Sequence, residues 1–182
     1  MPCERAFGWI EGLALLLMLA LFLAPGELPG GRPANFDDLE LDQRVAVAGR
    51  PSGAREVRAH EIGIQNGPGE EKLQGRIQLV NGVEKSLAVL GVKVVMTEET
   101  QIQDRLGQSR LSALRPGMAA EVRGKLREDE VFEAAKITVS NGKAGEGIEV
   151  TGRVQNIDKS DKTLNVMGLT IRVTPATKLK FD

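Results

Sequence analysis

The chain has almost none of the residues that carry chemistry. Its 182 residues include one cysteine, one histidine, one tryptophan and no tyrosine, and aromatic residues make up 3% of the total. Cys3 precedes an apolar N-terminal run instead of closing it, so it is not placed as a lipoprotein acceptor. Removal of that run as a leader would leave no thiol, which excludes disulfides, cysteine nucleophiles and thiolate metal sites. His60 has no second histidine and no cysteine with which to share a metal, and no serine in a recognisable setting for a triad, so it reads as an exposed bulge or loop residue. Charge of one sign is lacking too. After Gly26 there are 23 Lys plus Arg and 23 Asp plus Glu, which gives no long-range attraction to nucleic acid or to an anionic lipid surface. Phe36, Phe132 and Phe181 are the only aromatics beyond Gly26, too few to form the stacking platforms on which single strands or sugars lie. Nucleic acid is excluded as a partner.

What the chain does have is an N-terminal apolar run and a repeat. Residues 1–26 contain the run Leu13 to Ala24, about the length of a signal-peptide core and short for a membrane span. A hydrophobic helix is expected there, as a signal peptide or a membrane anchor. Ala24-Pro25-Gly26 presents small residues suited to cleavage before Glu27, whereas Glu4 and Glu11 make a poor positively charged leader. Either way the expected location is extracytoplasmic, in the periplasm or cell envelope, with any membrane contact made only through this segment. Residues 27–34, rich in Pro and Gly, read as a tether.

From Phe36 onward the sequence repeats in two kinds of half-unit. At a constant offset of 75, Phe36–Ile62 overlays Leu111–Ile137, placing Leu39 on Leu114, Val47 on Val122, Gly49 on Gly124 and Ala59 on Ala134. At an offset of 77, Leu73–Ile102 overlays Val150–Leu179, placing Gly75 on Gly152, Leu87 on Leu164, Gly91 on Gly168 and Thr100 on Thr177. The half-units run late, early, late, early. Each early half alternates apolar and polar residues through three short strands, with a glycine hairpin at Leu90-Gly91 or Met167-Gly168. Each late half has a short connector and two strands. Ala59 to Ile62, and Ala134 to Ile137, are three apart, which breaks alternation and predicts a bulge near His60-Glu61 and Ala135-Lys136.

Early plus late is the element order of a five-stranded OB-like barrel. The expected fold is therefore all-β, two small OB-like barrels from an internal repeat, behind an N-terminal hydrophobic helix. Residues 73–139 make a complete barrel in normal order. Residues 35–64 and 148–182 are complementary leftovers that pair into a permuted barrel around it. The alternatives are two consecutive permuted barrels, 35–104 and 109–182, and exchange of half-units between chains.

Several motifs carry a resemblance: G-x-[VI] opening the first strand, the glycine hairpin, T-x-[IL] closing the third strand, and L-x-x-x-x-x-V-x-V-x-G followed by A-x-x-I. On these the chain resembles a bacterial family of exported tandem domains of unknown function, DUF5666. The resemblance implies an OB-like fold behind an export signal and carries over no catalytic residue. The chain departs from the pattern at Ala120, which replaces the first valine of the late strand, and at Asp182, which ends the last unit after its third strand.

The remaining candidates read as scaffold. Met96 and Met167 fall on a core and a hairpin position, and Met118 adds no His or Cys to make a soft-metal site with them. Asp37-Asp38, Glu70-Glu71, Glu98-Glu99 and Glu128-Asp129-Glu130 fall at turns and loops as a solvated rim. Arg76, Lys93, Arg123, Arg153 and Arg172 read as outward-facing surface and edge protection. The expected function is a non-enzymatic extracytoplasmic interaction module, working through an envelope protein partner or self-association and using no cofactor. The alternative is a carrier of a small ligand, saccharide or metal ion.

Overall fold

A computed structural model describes residues 32–104, 106–140 and 147–182. The expected N-terminal helix, its cleavage site and the first part of the tether lie outside the described residues. Among the described residues no helix is long and apolar enough to cross a membrane.

The described chain is all-β, with twelve strands: β1 (Arg44–Pro51), β2 (Glu56–Gln65), β3 (Glu71–Asn81), β4 (Ser86–Val89), β5 (Val92–Asp104), β6 (Gly107–Gln108), β7 (Ala119–Leu126), β8 (Phe132–Ser140), β9 (Ile148–Asp158), β10 (Thr163–Val166), β11 (Leu169–Arg172) and β12 (Lys178–Phe181). Two single-turn 3-10 helices, Phe36–Asp38 and Leu111–Ala113, form the connectors. Strands β3, β4, β5, β8 and β7 pair in that order, and β7 pairs back to β3, closing a five-stranded barrel. Strands β9, β10, β11, β2 and β1 pair in the same order, and β1 pairs back to β9. Below, these are the first and second circuits.

The registers of the two circuits coincide under the sequence offsets. Leu73 faces Val122 across β3 and β7, and Val150 faces Val47 across β9 and β1. The circuits meet where β3 runs antiparallel to β9, with Leu73 opposite its own repeat partner Val150 and Lys72 facing Thr151. Buried apolar side chains of both circuits form one contiguous core, which includes Leu73, Ile77, Val122 and Phe132 of the first and Val47, Ile62, Val150 and Ile171 of the second.

Local chemistry explains why each half-unit folds as it does. The hairpin residues Leu90 and Gly91 have φ of 54° and 78°, and Met167 and Gly168 have 56° and 70°. That is the two-residue turn that suits the twist of adjacent strands. Leu90 and Met167 adopt a left-handed backbone that a non-glycine residue resists, but each is buried against a mid-strand glycine of its own circuit. A β-carbon on Gly75 would lie 3.1 Å from the Leu90 side chain, and one on Gly152 would lie 2.9 Å from that of Met167. Gln78 and Gln155 each accept a hydrogen bond from the hairpin glycine N–H, at 2.7 and 2.8 Å.

The bulges are found where alternation failed. Opposite β1 the register passes from Glu61 to Ala59 and skips His60, and opposite β7 it passes from Lys136 to Ala134 and skips Ala135. The bulge turns one carbonyl out of the ladder. The Thr100 hydroxyl donates to Ala134 O at 2.6 Å, and the Thr177 hydroxyl donates to Ala59 O at 2.8 Å. The threonine of T-x-[IL] is thus the partner of the bulged carbonyl.

The tether is shorter than its composition suggests. Ala34 N–H donates to Leu179 O, and Phe181 N–H donates to Arg32 O. This repeats the β5–β6 hairpin, where Ser109 N–H donates to Ile102 O. Pro33 bridges Lys180 as Gln108 faces Gln103. Pairing therefore begins by Arg32, three residues before the expected start at Asn35.

Candidate functional site

Two grooves flank the β3–β9 seam at positions related by the repeat. The first, about 670 Å³, has a floor that includes Gly75, Ile77, Ala120 and Ile148 and a rim that includes Arg50, Arg76 and Glu121. The second, about 860 Å³, includes Gly152, Glu71, Lys125, Arg153, Leu126 and Arg44. Gly75 and Gly152, Arg76 and Arg153, Arg50 and Lys125, and Ala119 and Arg44 are repeat pairs.

The chemistry of the two grooves differs because of the last of these pairs. In the second groove the Arg44 guanidinium lies against Gly69 and puts a charge into the lining: its Nη2 donates to Glu70 O, and among the described residues its Nε is buried without a partner. In the first groove Ala119 and the buried Ala120 leave an apolar floor. Among the described residues, Arg50 has no ion-pair partner at its rim. Glu121 is neutralised by Arg123, whose Nε donates to it at 2.8 Å and whose guanidinium is held more basic than usual by that contact.

A third feature lies at the other end of β3. Val80, Gly82, Leu111, Leu114, Arg115 and Pro116 line a groove of about 510 Å³ between the β3–β4 turn and the Leu111–Ala113 helix. Leu79 and Val83 beside it are 60% and 95% exposed. The matching position to Leu111 in the second circuit is Phe36, a larger side chain that is buried, with Lys162 Nζ 5.0 Å above its ring. Leu111 is smaller and only half-buried, which opens the groove.

The residues weighed from sequence are scattered. His60 sits exposed on the β2 bulge. Met96 and Met118 belong to the first circuit, whereas Met167 is buried over Gly152 in the second, so the three methionines do not converge. Met118 Sδ accepts from Arg115 N–H at 3.2 Å. Among the described residues no three His, Cys, Asp or Glu side chains come together as metal ligands. Glu71 accepts from Leu126 N–H of β7, which ties it to the strand beside it and takes it out of the solvated rim.

Arg76 and Arg153 do more than cover an edge. Arg76 donates to Gly117 O at 3.0 Å, and Arg153 donates to Asp42 O at 2.9 Å. Each fastens the connector that leads into β7 or β1. Gly117 and Asp42 both take positive φ, 90° and 60°, which glycine adopts freely and aspartate resists, so the arginine matters most to the turn at Asp42. The signal was present in the repeat, since Arg76 falls on Arg153 and Gly117 on Asp42, but Gly and Asp do not look alike.

The family model for a domain of unknown function, DUF5666, matches residues 74–138 and 151–182. No curated protein and no solved structure matches the chain.

Proposed function

The chain belongs to the DUF5666 family of domains of unknown function, and we propose that it is a non-enzymatic binding module of the bacterial cell envelope, made of two OB-like barrels. One barrel follows chain order over 73–139, and the other is permuted, from 35–64 and 148–182. The N-terminal segment exports it, as cleaved leader or as anchor, and the working contacts are with protein. Support for the two-barrel reading comes from the matched registers of the two circuits.

The observation that carries the binding role is a contrast between interior and face. Scaffold residues repeat between circuits: Gly75 and Gly152, Gln78 and Gln155, Thr100 and Thr177 perform the same contacts. Faces do not repeat. Leu79 and Val83 stand where the second circuit has Asn156 and Ser160. A soluble surface gains nothing from an exposed leucine at a strand end and an exposed valine in the turn that follows, whereas a contact surface does.

The test is in-cell crosslinking of the full-length protein with a C-terminal tag, followed by mass spectrometry of what copurifies and of its own N-terminus. A stoichiometric partner at the Leu79–Val83 face is expected. Absence of any crosslinked protein would overturn the binding role.

A second reading, a carrier of a small ligand, is favoured by one observation: the groove floored by Ala119 and Ala120 with Arg50 at its rim, without an ion-pair partner among the described residues. It predicts that an apolar anion raises the thermal midpoint, because a ligand bound only to the folded state must stabilise it.

A further inference from the structure

We propose that the face formed by the β3–β4 turn and the Leu111–Ala113 helix docks the Asp37–Leu41 segment of a second molecule of this chain, an inference that rests on the binding-module reading and names its partner. The repeat itself supplies the evidence, because it places the two faces in register and shows how each differs from the other.

In the first circuit Leu79 and Val83 are exposed at the end of β3 and in the β3–β4 turn, and Gly82, Ser112, Arg115 and Pro116 line the groove beside that turn. At the matching positions the second circuit carries Asn156, Lys159, Ser160, Asp37, Glu40 and Leu41. One face is thus apolar with a basic border, which Arg110 extends. The other is polar and acidic, with Asp38 added where the first has Ala113. The charges are only partly engaged within each face: Arg115 donates to the Ser112 and Leu114 carbonyls and Asp38 accepts from Asn35 N–H, but among the described residues neither meets an opposite charge. The Arg110 and Glu40 side chains have no charged partner among the described residues, and Lys159 meets Asp37 only at 3.7 Å between exposed groups.

Shape agrees with charge. The groove bordered by Val80, Leu111 and Pro116 is apolar and open. The acidic segment ends in Leu41, which is 62% exposed. Seating Leu41 in that groove removes two exposed apolar surfaces from water at once. It also brings Asp37, Asp38 and Glu40 toward Arg110 and Arg115, a pairing that fixes orientation and raises the association rate. Because the two faces are different patches, the contact is heterologous and each molecule keeps one free face of each kind. Assembly therefore proceeds past the dimer, into a chain or a closed ring.

The test uses the full-length protein with Cys3→Ser, Val83→Cys and Leu41→Cys, oxidised and run without reductant. A ladder of disulfide-linked oligomers is expected, while Val83→Cys alone with Cys3→Ser stays monomeric. Adding Arg110→Glu is expected to weaken self-association about tenfold, and Glu40→Arg in the same chain to restore it, as reversal of a charge pair requires. A Val83→Cys single variant that dimerises would show like faces meeting and overturn the proposal. A double-cysteine variant that stays monomeric overturns it too, and crosslinking then separates the two claims. If Val83 crosslinks to another envelope protein, self-docking falls and the binding module stands. If it crosslinks to nothing, both fall.

Discussion

The first circuit is a continuous piece of chain, and the second is assembled from the two ends of the described residues; they nevertheless reach the same contacts. In the first, β5 passes directly through a hairpin into β6. In the second, β12 meets Arg32–Ala34 with no covalent link at that point, yet the same backbone bond forms. The pairing pattern therefore does not depend on chain order. It is set by where glycine, the bulge and the hairpin fall along each half-unit. The faces obey no such constraint, and there the two circuits diverge.

The largest test of this equivalence uses the late-strand glycines. A β-carbon on Gly124 would lie 2.0 Å from Glu133 O, and one on Gly49 would lie 2.5 Å from Arg58 O. Backbone cannot yield as a side chain tip can, so Gly124→Ala is expected to cost about 3 kcal/mol or more, and Gly49→Ala nearly as much. Gly82→Ala, with open space around it, is expected to stay within about 0.5 kcal/mol in the same urea titrations. A mild Gly49→Ala beside a severe Gly124→Ala would break the equivalence.

Next come the threonines. Thr100→Val and Thr177→Val each remove the donor to a bulged carbonyl, at an expected cost of about 1–2 kcal/mol apiece. Equal costs in thermal or chemical denaturation sharpen the comparison. A cost confined to Thr100 would mean that the second circuit holds its bulge by other means.

A smaller effect separates the circuits at the connector helix. Phe36→Leu gives the second circuit the side chain of the first and is expected to lose about 1 kcal/mol through lost burial and the lost Lys162 contact. Leu111→Phe puts a larger side chain at the border of the 510 Å³ groove and is expected to leave stability nearly unchanged while reducing the crosslinked ladder.

The smallest effect is one of pH. Val83 and Glu84 N–H donate to Asn81 Oδ1, and Ser160 and Asp161 N–H donate to Asp158 Oδ1. Only the aspartate titrates. The Asp161 N–H, with the Ser160 hydroxyl and N–H, holds the Asp158 carboxyl below its ordinary value. A depressed carboxylate contributes its stability above its unfolded value, near pH 4, and loses it as pH falls through the lower folded value. Acid is thus expected to loosen the β9–β10 turn before the β3–β4 turn, seen as earlier amide exchange at Ser160 than at Glu84. Asp158→Asn should remove the difference.

Much of the scaffold was legible because it depends on residue types that leave a mark. Glycine at a close approach, threonine under a bulge and three-residue spacing at Ala59–Ile62 and Ala134–Ile137 all stand out in a repeat. Arg32–Ala34 was read as tether because Pro33 and Gln108 share only backbone geometry, and a bridge made by main chain needs no particular side chain. Thr97–Gln103 is mostly polar and shows no clean alternation, yet β5 runs through it to Asp104, held to β8 beyond the register shift and to β6 at Gln103 and Asp104. The grooves were illegible for a different reason. Their character turns on one side chain that differs between the copies, Ala119 against Arg44 and Leu111 against Phe36, and an alignment registers such a change as a mismatch without saying what it does to the space.

The most direct test is a disulfide across the strand pair that closes the second circuit. Ala48 faces Glu149 between β1 and β9, although 101 positions separate them in the chain. In the full-length protein with Cys3→Ser, Ala48→Cys and Glu149→Cys, oxidation should give an intramolecular bridge in a monomer at low concentration. A bridge found only between molecules, or no bridge, would contradict the closure of the second circuit within one chain.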